Sequence, residues 1–189
     1  MPSTAPIDPA AVEARLTQLG ASAVAPIEIG NIRFDYVFRE LCRQNSCGFY
    51  GKNLMCPPYC GEPDGLIDKI KTYTAGILFQ TIYPLEDSFD IDGWREGSKV
   101  HDDVTLKIKK YMGENYGPQY GDWVVHSNED CKICPECMVK SGGPCRFPLL
   151  ASPSLEACCI DVRALCEKHG LRYINGENTV TYDGVVFYK

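Results

Sequence analysis

The run ILFQTIY, residues 77–83, is apolar and rich in β-branched side chains. Its length and composition predict a strand buried on both faces, which needs helices or further strands to cover it. The flanks supply them. Pro63 stands at the first position of a short helix predicted to run to Tyr73, where its fixed φ suits the first turn. Beyond the strand, Gly97, Val100, Val104, Ile108 and Tyr111 recur at helical spacing from Asp90 onward, with Asp103 and Lys107 paired i to i+4 outside.

Further outward, Ile27–Phe34 and Trp123–His126 read as strands. Asp8 caps a short amphipathic helix that opens with Pro9, buries Val12, Leu16 and Leu19, and stops at Gly20. Ser152 and Pro153 start a helix predicted to reach His169 and end at Gly170, with Leu155, Val162 and Leu165 inward. Asp183-Gly184 within Tyr182–Val185 predicts a closing hairpin, because Asp-Gly readily takes the positive φ angles of a tight turn. This order predicts an α/β (or α+β) fold: a mixed sheet with packed helices and cysteine-rich, cluster-binding loops at strand ends. Without repeats or a low-complexity linker, residues 1–189 read as one metal-binding domain, with 1–25 an N-terminal helical appendage.

The chain has 189 residues and a net charge of -6, with no basic run. That excludes nucleic acid as the expected partner, since phosphate backbones need clustered Lys and Arg. The N-terminal stretch lacks the basic and apolar regions of a secretory signal, and no apolar run is long enough to span a bilayer. The expectation is a soluble, cytoplasmic protein without a membrane partner. Its oligomeric state is not legible.

Eleven cysteines in a reducing compartment point to metal rather than disulfides. They fall into groups. Cys131, Cys134, Cys137 and Cys145 form C-x2-C-x2-C-x7-C, a spacing that lets three close thiolates wrap one face of an iron-sulfur cubane while a fourth closes it. A single zinc usually takes two separated C-x2-C knuckles, so the spacing favours a cluster, with zinc the alternative. Gly142 and Gly143 are expected to let backbone amides approach cluster sulfides. The other group, Cys42, Cys47, Cys56 and Cys60, lies in a loop rich in Gly, Pro and Asn. Pro57 and Pro58 are expected to hold Cys56 and Cys60 in an extended turn. Lys52, Arg43 and Arg146 bring positive charge that stabilises thiolates, Lys52 and Arg146 being the cofactor-binding candidates. Tyr50 and Tyr59 are expected to shield the site.

The segments YGKNLMCPPYC, residues 50–60, and CPECMVKSGGPCRFPLLASPSLEACCIDV, residues 134–162, resemble a family of small prokaryotic proteins, found mostly in anaerobes and archaea, described as predicted metal-binding proteins of unknown function. The resemblance runs from about Asp35 to the C-terminus. It implies metal on Cys42, Cys47 and Cys56, and on Cys131, Cys134, Cys137 and Cys145, and carries no reaction with it. Cys60 departs from the pattern, which often has a small residue after Pro-Pro-aromatic, and so does the Cys158-Cys159 pair. With Cys60 as ligand the first site is closed; without it, one iron is open to a small molecule.

Cys158, Cys159 and Cys166 lie among apolar residues and read as core. Of the three histidines, His126 is the one placed to ligate or donate a proton, just before the second cysteine group. Phosphate-loop, nucleophile-elbow and His-Glu-x-x-His patterns are missing. The leading expectation is an electron carrier or redox adaptor with two [4Fe-4S] clusters, serving a redox partner protein. The alternatives are an enzyme whose open iron activates a small substrate, and a structural zinc protein.

Overall fold

A computed structural model describes residues 6–189; the first five residues of the N-terminal reading lie outside it. Helix α1, Pro9–Gln18, begins as expected, with the Asp8 carboxylate accepting from the amides of Ala10 and Ala11. Strand β1 is Ala23–Glu28, earlier than predicted. A 3-10 turn at Ile29–Asn31 breaks the predicted run, and Phe34 makes only an isolated bridge to Ile160. Helix α2, Val37–Gln44, follows, and then α3, Pro63–Lys71. Strand β2 is Ala75–Pro84, α4 is Ile91–Tyr116, β3 is Trp123–Ser127, α5 is Val162–Lys168, and β4 is Thr179–Tyr188.

The four strands form one sheet in the order β1-β2-β4-β3, and all three pairings are antiparallel. That places the chain on the α+β side of the expectation. ILFQTIY is central, as its composition required: β2 pairs with β1 on one side and β4 on the other. Side chains alternate between the faces. Ile77, Phe79, Val125 and Val186 meet Val12 and Leu16 of α1 and Val104, Ile108 and Met112 of α4. Leu78, Val124, Val185 and Phe187 meet Ile70 of α3, Leu165 of α5 and the segment Leu155–Ile160. A Cβ at Gly97 would lie 3.0 Å from the Tyr83 Cβ, so the glycine lets α4 approach the sheet closely.

Two expectations are corrected. Asp183-Gly184 does not turn; it lies inside β4. The Asp183 carboxylate is buried and accepts from Gln80 Nε2 at 2.9 Å and Cys166 Sγ at 3.3 Å. Gly184 sits opposite Phe79, whose ring occupies the space of a Cβ, 2.2 Å from its ideal position. The glycine therefore serves a cross-strand aromatic rather than a turn. The helix predicted from Ser152 to His169 is also absent before Val162. Cys159 has a φ of 63°, incompatible with a right-handed helix, and Asp161 starts α5 by accepting from the Ala164 amide.

Candidate metal centres

Both cysteine groups sit at the same end of the sheet. The chain leaves β3 at Ser127 and enters the second group within four residues. The first group hangs between α2 and α3, with Cys42 on α2 itself rather than in the loop. Asn128, Glu129 and Asp130 line the cavity of the first group, and Cys131, next along the chain, lines that of the second.

Cys42, Cys47 and Cys56 line one cavity of about 430 Å³ together with Phe38, Phe49 and Tyr50. Tyr50 thus shields the site as expected. Cys60 is not among its lining residues. The Pro-Pro loop is a tight turn, not an extended one: the amides of Tyr59 and Cys60 both donate to the Cys56 carbonyl, at 3.0 and 3.2 Å. The turn sends the Cys60 thiol to Arg39, whose Nη1 donates to it at 3.1 Å. Arg39, on α2 and only 8% exposed, also donates to the carbonyls of Ala157 at 3.1 Å and Gly61 at 2.9 Å. One guanidinium therefore ties α2, the Pro-Pro turn and the segment under the sheet together. Nothing in its sequence context separated this arginine from a solvated one.

Cys131, Cys134, Cys137 and Cys145 line a second cavity, narrow and enclosed, of about 20 Å³, with Leu54, Met55, Met138 and Phe147 around them. That is room for about one water molecule. The Leu54 amide donates to Cys137 Sγ at 3.4 Å, so the first loop reaches across to the second thiol set. The amides expected to do this do not: Gly142 donates to the Val139 carbonyl and Gly143 to that of Met138, because both close the 3-10 turn at Met138–Ser141. Lys52 lines a groove of about 920 Å³ beside Cys131, Cys134 and Cys137, which puts it next to the second set. Tyr59 lines the same groove, 55% exposed, and shields little. Arg146 lines the enclosed cavity and donates to the Glu136 carbonyl at 3.2 Å. Arg43 is taken up by Glu40 on the surface of α2, at 2.6 Å.

Burial pushes the Cys42 thiol up to about 11 and the Cys56 thiol to about 12, with neighbouring thiols adding to it. The metal-free protein therefore keeps both protonated, and metal must displace those protons. Among the described residues, no three His, Cys, Asp or Glu side chains converge closely enough to hold one bare ion. Four thiolates on one zinc lie about 3.8 Å apart, from a Zn–S length of 2.3 Å and tetrahedral geometry. A cluster that bonds each thiolate through a different iron spreads them further. The donor chemistry of both sets, soft sulfur in a largely apolar lining, fits iron-sulfur and zinc alike.

Three groups that sequence reasoning missed or misplaced complete the region. Lys109 on α4 is 6% exposed and donates to the Leu150 carbonyl at 2.7 Å and Ser152 Oγ at 2.9 Å. Burial brings its amine down to about 8, against the opposing pull of the Cys131 thiol and Asp102. Glu156 lines the open cavity; burial, with Asp183 and Glu129 nearby, raises its carboxyl to about 8 against bonds from Ser154 and its own backbone. His126 faces the core instead of either thiol set. Its Nδ1 donates to the Pro153 carbonyl at 2.8 Å, its ring meets Phe187 edge-on, and burial lowers it to about 4. Cys158, Cys159 and Cys166 are fully buried, as read.

The fold and its two thiol sets define a cysteine-rich α+β metal-binding protein. The chain belongs to the family described as "Predicted metal-binding protein (DUF2284)", whose profile matches residues 25–188. Comparison with curated proteins and with solved structures gives no match. Among the described residues, no helix is long and apolar enough to cross a membrane.

Proposed function

We propose that this is a cytoplasmic iron-sulfur protein with two [4Fe-4S] clusters, one closed and one open. Cys131, Cys134, Cys137 and Cys145 hold the closed cluster, and Cys42, Cys47 and Cys56 hold the open one. The reading rests on one observation: three thiols of the first quartet share the 430 Å³ cavity while Arg39 holds Cys60 away from it. This favours the enzyme reading over a simple two-cluster carrier. A cluster with an uncommitted iron supplies a Lewis-acidic, redox-active position at which a small molecule can be activated.

The chain's own residues do the rest. Phe38, Phe49 and Tyr50 narrow the approach and limit water. Glu156, raised to about 8, is protonated at neutral pH and can hold a proton at its carboxyl inside the cavity. The closed set, with the Leu54 amide on Cys137 Sγ, is half-buried and borders a surface groove along Cys131, Cys134 and Cys137, which suits passage of electrons from a redox partner protein docked there. A second reading for that set alone is one structural zinc, which, like the cluster, requires the four thiols lining the 20 Å³ cavity to draw into place, since among the described residues no three donors converge on one ion.

Anaerobic purification followed by iron, zinc and acid-labile sulfide analysis tests this. Two clusters give about eight irons per chain, and one cluster with one zinc gives about four irons. Cys60→Ser is expected to keep the full iron content, whereas Cys56→Ser loses about half of it. Equal losses in the two variants would show that Cys60 is a ligand and that the first site is closed.

A further inference from the structure

The lining of the open cavity carries information about what enters it. Its ionisable side chains besides the three thiols and Tyr50 are all acids: Glu129, Asp130 and Glu156. Among the described residues no lysine or arginine lines it. The nearby cations are already paired, Lys132 with two acids of this same wall, whose charge it offsets, so that the cluster core carries the uncompensated negative charge. Lys132 pairs with Asp102 at 3.0 Å and Asp130 at 3.5 Å, and also with Glu129. Arg39 is spent on Cys60, Ala157 and Gly61. The remaining wall is aromatic and aliphatic, from Phe38, Leu41, Phe49 and Tyr50. A cluster core on three thiolates is itself net negative, so a carboxylate or phosphate substrate would meet repulsion there and find no cation to offset it.

We infer that the open cavity takes a small uncharged or cationic molecule with an apolar body, and rejects anions. This rests on the open-iron reading and adds the class of substrate to it. The volume, about 430 Å³, is within the range of small-molecule sites. Glu156, reaching the cavity from the segment beneath the sheet, is the group placed to hydrogen-bond a polar end of the substrate, such as a hydroxyl, a carbonyl or an amine.

Three thiols with the same sulfur donor and different tails make the probe: 2-mercaptoethanol, neutral; cysteamine, cationic; and mercaptoacetate, anionic. Each is titrated anaerobically into the reduced protein, and the change in the EPR spectrum of the cluster gives the half-saturating concentration. The expected result is that 2-mercaptoethanol and cysteamine perturb the spectrum at concentrations at least about ten-fold lower than mercaptoacetate, from one uncompensated like-charge contact. Leu41→Lys places an ammonium at the rim from a side chain that is already 48% exposed. It is expected to narrow that gap several-fold while leaving iron content unchanged. Mercaptoacetate binding as tightly as the neutral thiol in the unsubstituted protein would overturn the inference and leave the open iron standing. A spectrum that none of the three perturbs would overturn both, since no iron would then be exchangeable.

Discussion

Replacing Arg39 with methionine tests the joint that keeps the first site open. Methionine keeps the length and apolar stem of the side chain and removes the guanidinium with all three of its hydrogen bonds. The Ala157 carbonyl belongs to a residue 1% exposed, and losing its partner at 3.1 Å leaves a buried acceptor unpaired, at about 1–3 kcal/mol. The Gly61 carbonyl is on an exposed residue and can return to water, so its loss costs only about 1 kcal/mol. The thiol of Cys60 is a weak acceptor and adds little. The sum is roughly 2–4 kcal/mol. Urea unfolding of the metal-free protein, followed by circular dichroism, should show the midpoint falling with an unchanged slope, and Arg39→Lys should lose about half as much. A loss below about 1 kcal/mol would refute the reasoning, because the guanidinium would then not be the tie between α2, the Pro-Pro turn and the segment under the sheet.

Gly184→Ala is expected to destabilise the protein by roughly 1–3 kcal/mol through overpacking against the Phe79 ring, and Phe79→Leu in the same chain should recover part of that loss, measured by thermal or urea unfolding. Glu156 gives a pH signature. Its carboxyl is raised in the folded metal-free protein from 4.5 to about 8, so the folded state holds a proton that the unfolded state releases. Its contribution is full below about pH 4.5 and is lost as pH rises to about 8, at no more than about 1.4 kcal/mol per unit. Because its residue surface is not wholly closed to solvent, the measured slope should be smaller, and Glu156→Gln should flatten the stability profile across that window. Metal uptake should run the other way: the protonated Cys42 and Cys56 thiols must release protons, so iron or zinc loading of the metal-free protein should strengthen as pH rises from 6 to 8, with proton release measurable by calorimetry in buffers of different ionisation enthalpy.

The family and the metal were legible from the chain because they depend on local chemistry. C-x2-C-x2-C-x7-C is a covalent spacing, and Cys131, Cys134, Cys137 and Cys145 do line one cavity. The central strand was legible for a similar reason: six apolar or β-branched residues around Gln80 have few other places to go, and β2, like β4, has a neighbour on each side. The errors came where a local preference met a tertiary demand. Asp183-Gly184 has the local chemistry of a turn, but Gln80, Cys166 and Phe79 from other elements use it as a strand. Residues 152–161 have a helix-start signal, but the segment instead closes the sheet's lower face, and Cys159 takes a positive φ to do so.

Sequence by itself thus determined the donor type, its grouping and the core strand, all of which are set by residue identity over short spacings. Only the tertiary structure decided which thiols share a cavity, that Cys60 is drawn to Arg39, and that Lys109 and Glu156 stand beside the two sets. The Arg39 and Lys109 contacts join residues more than twenty positions apart, and a pattern along the chain carries no term for such contacts. The physical cause is burial: a guanidinium, an amine and a carboxyl acquire unusual roles once water is removed from around them, and the packing of α2, α4 and the segment beneath the sheet does the removing.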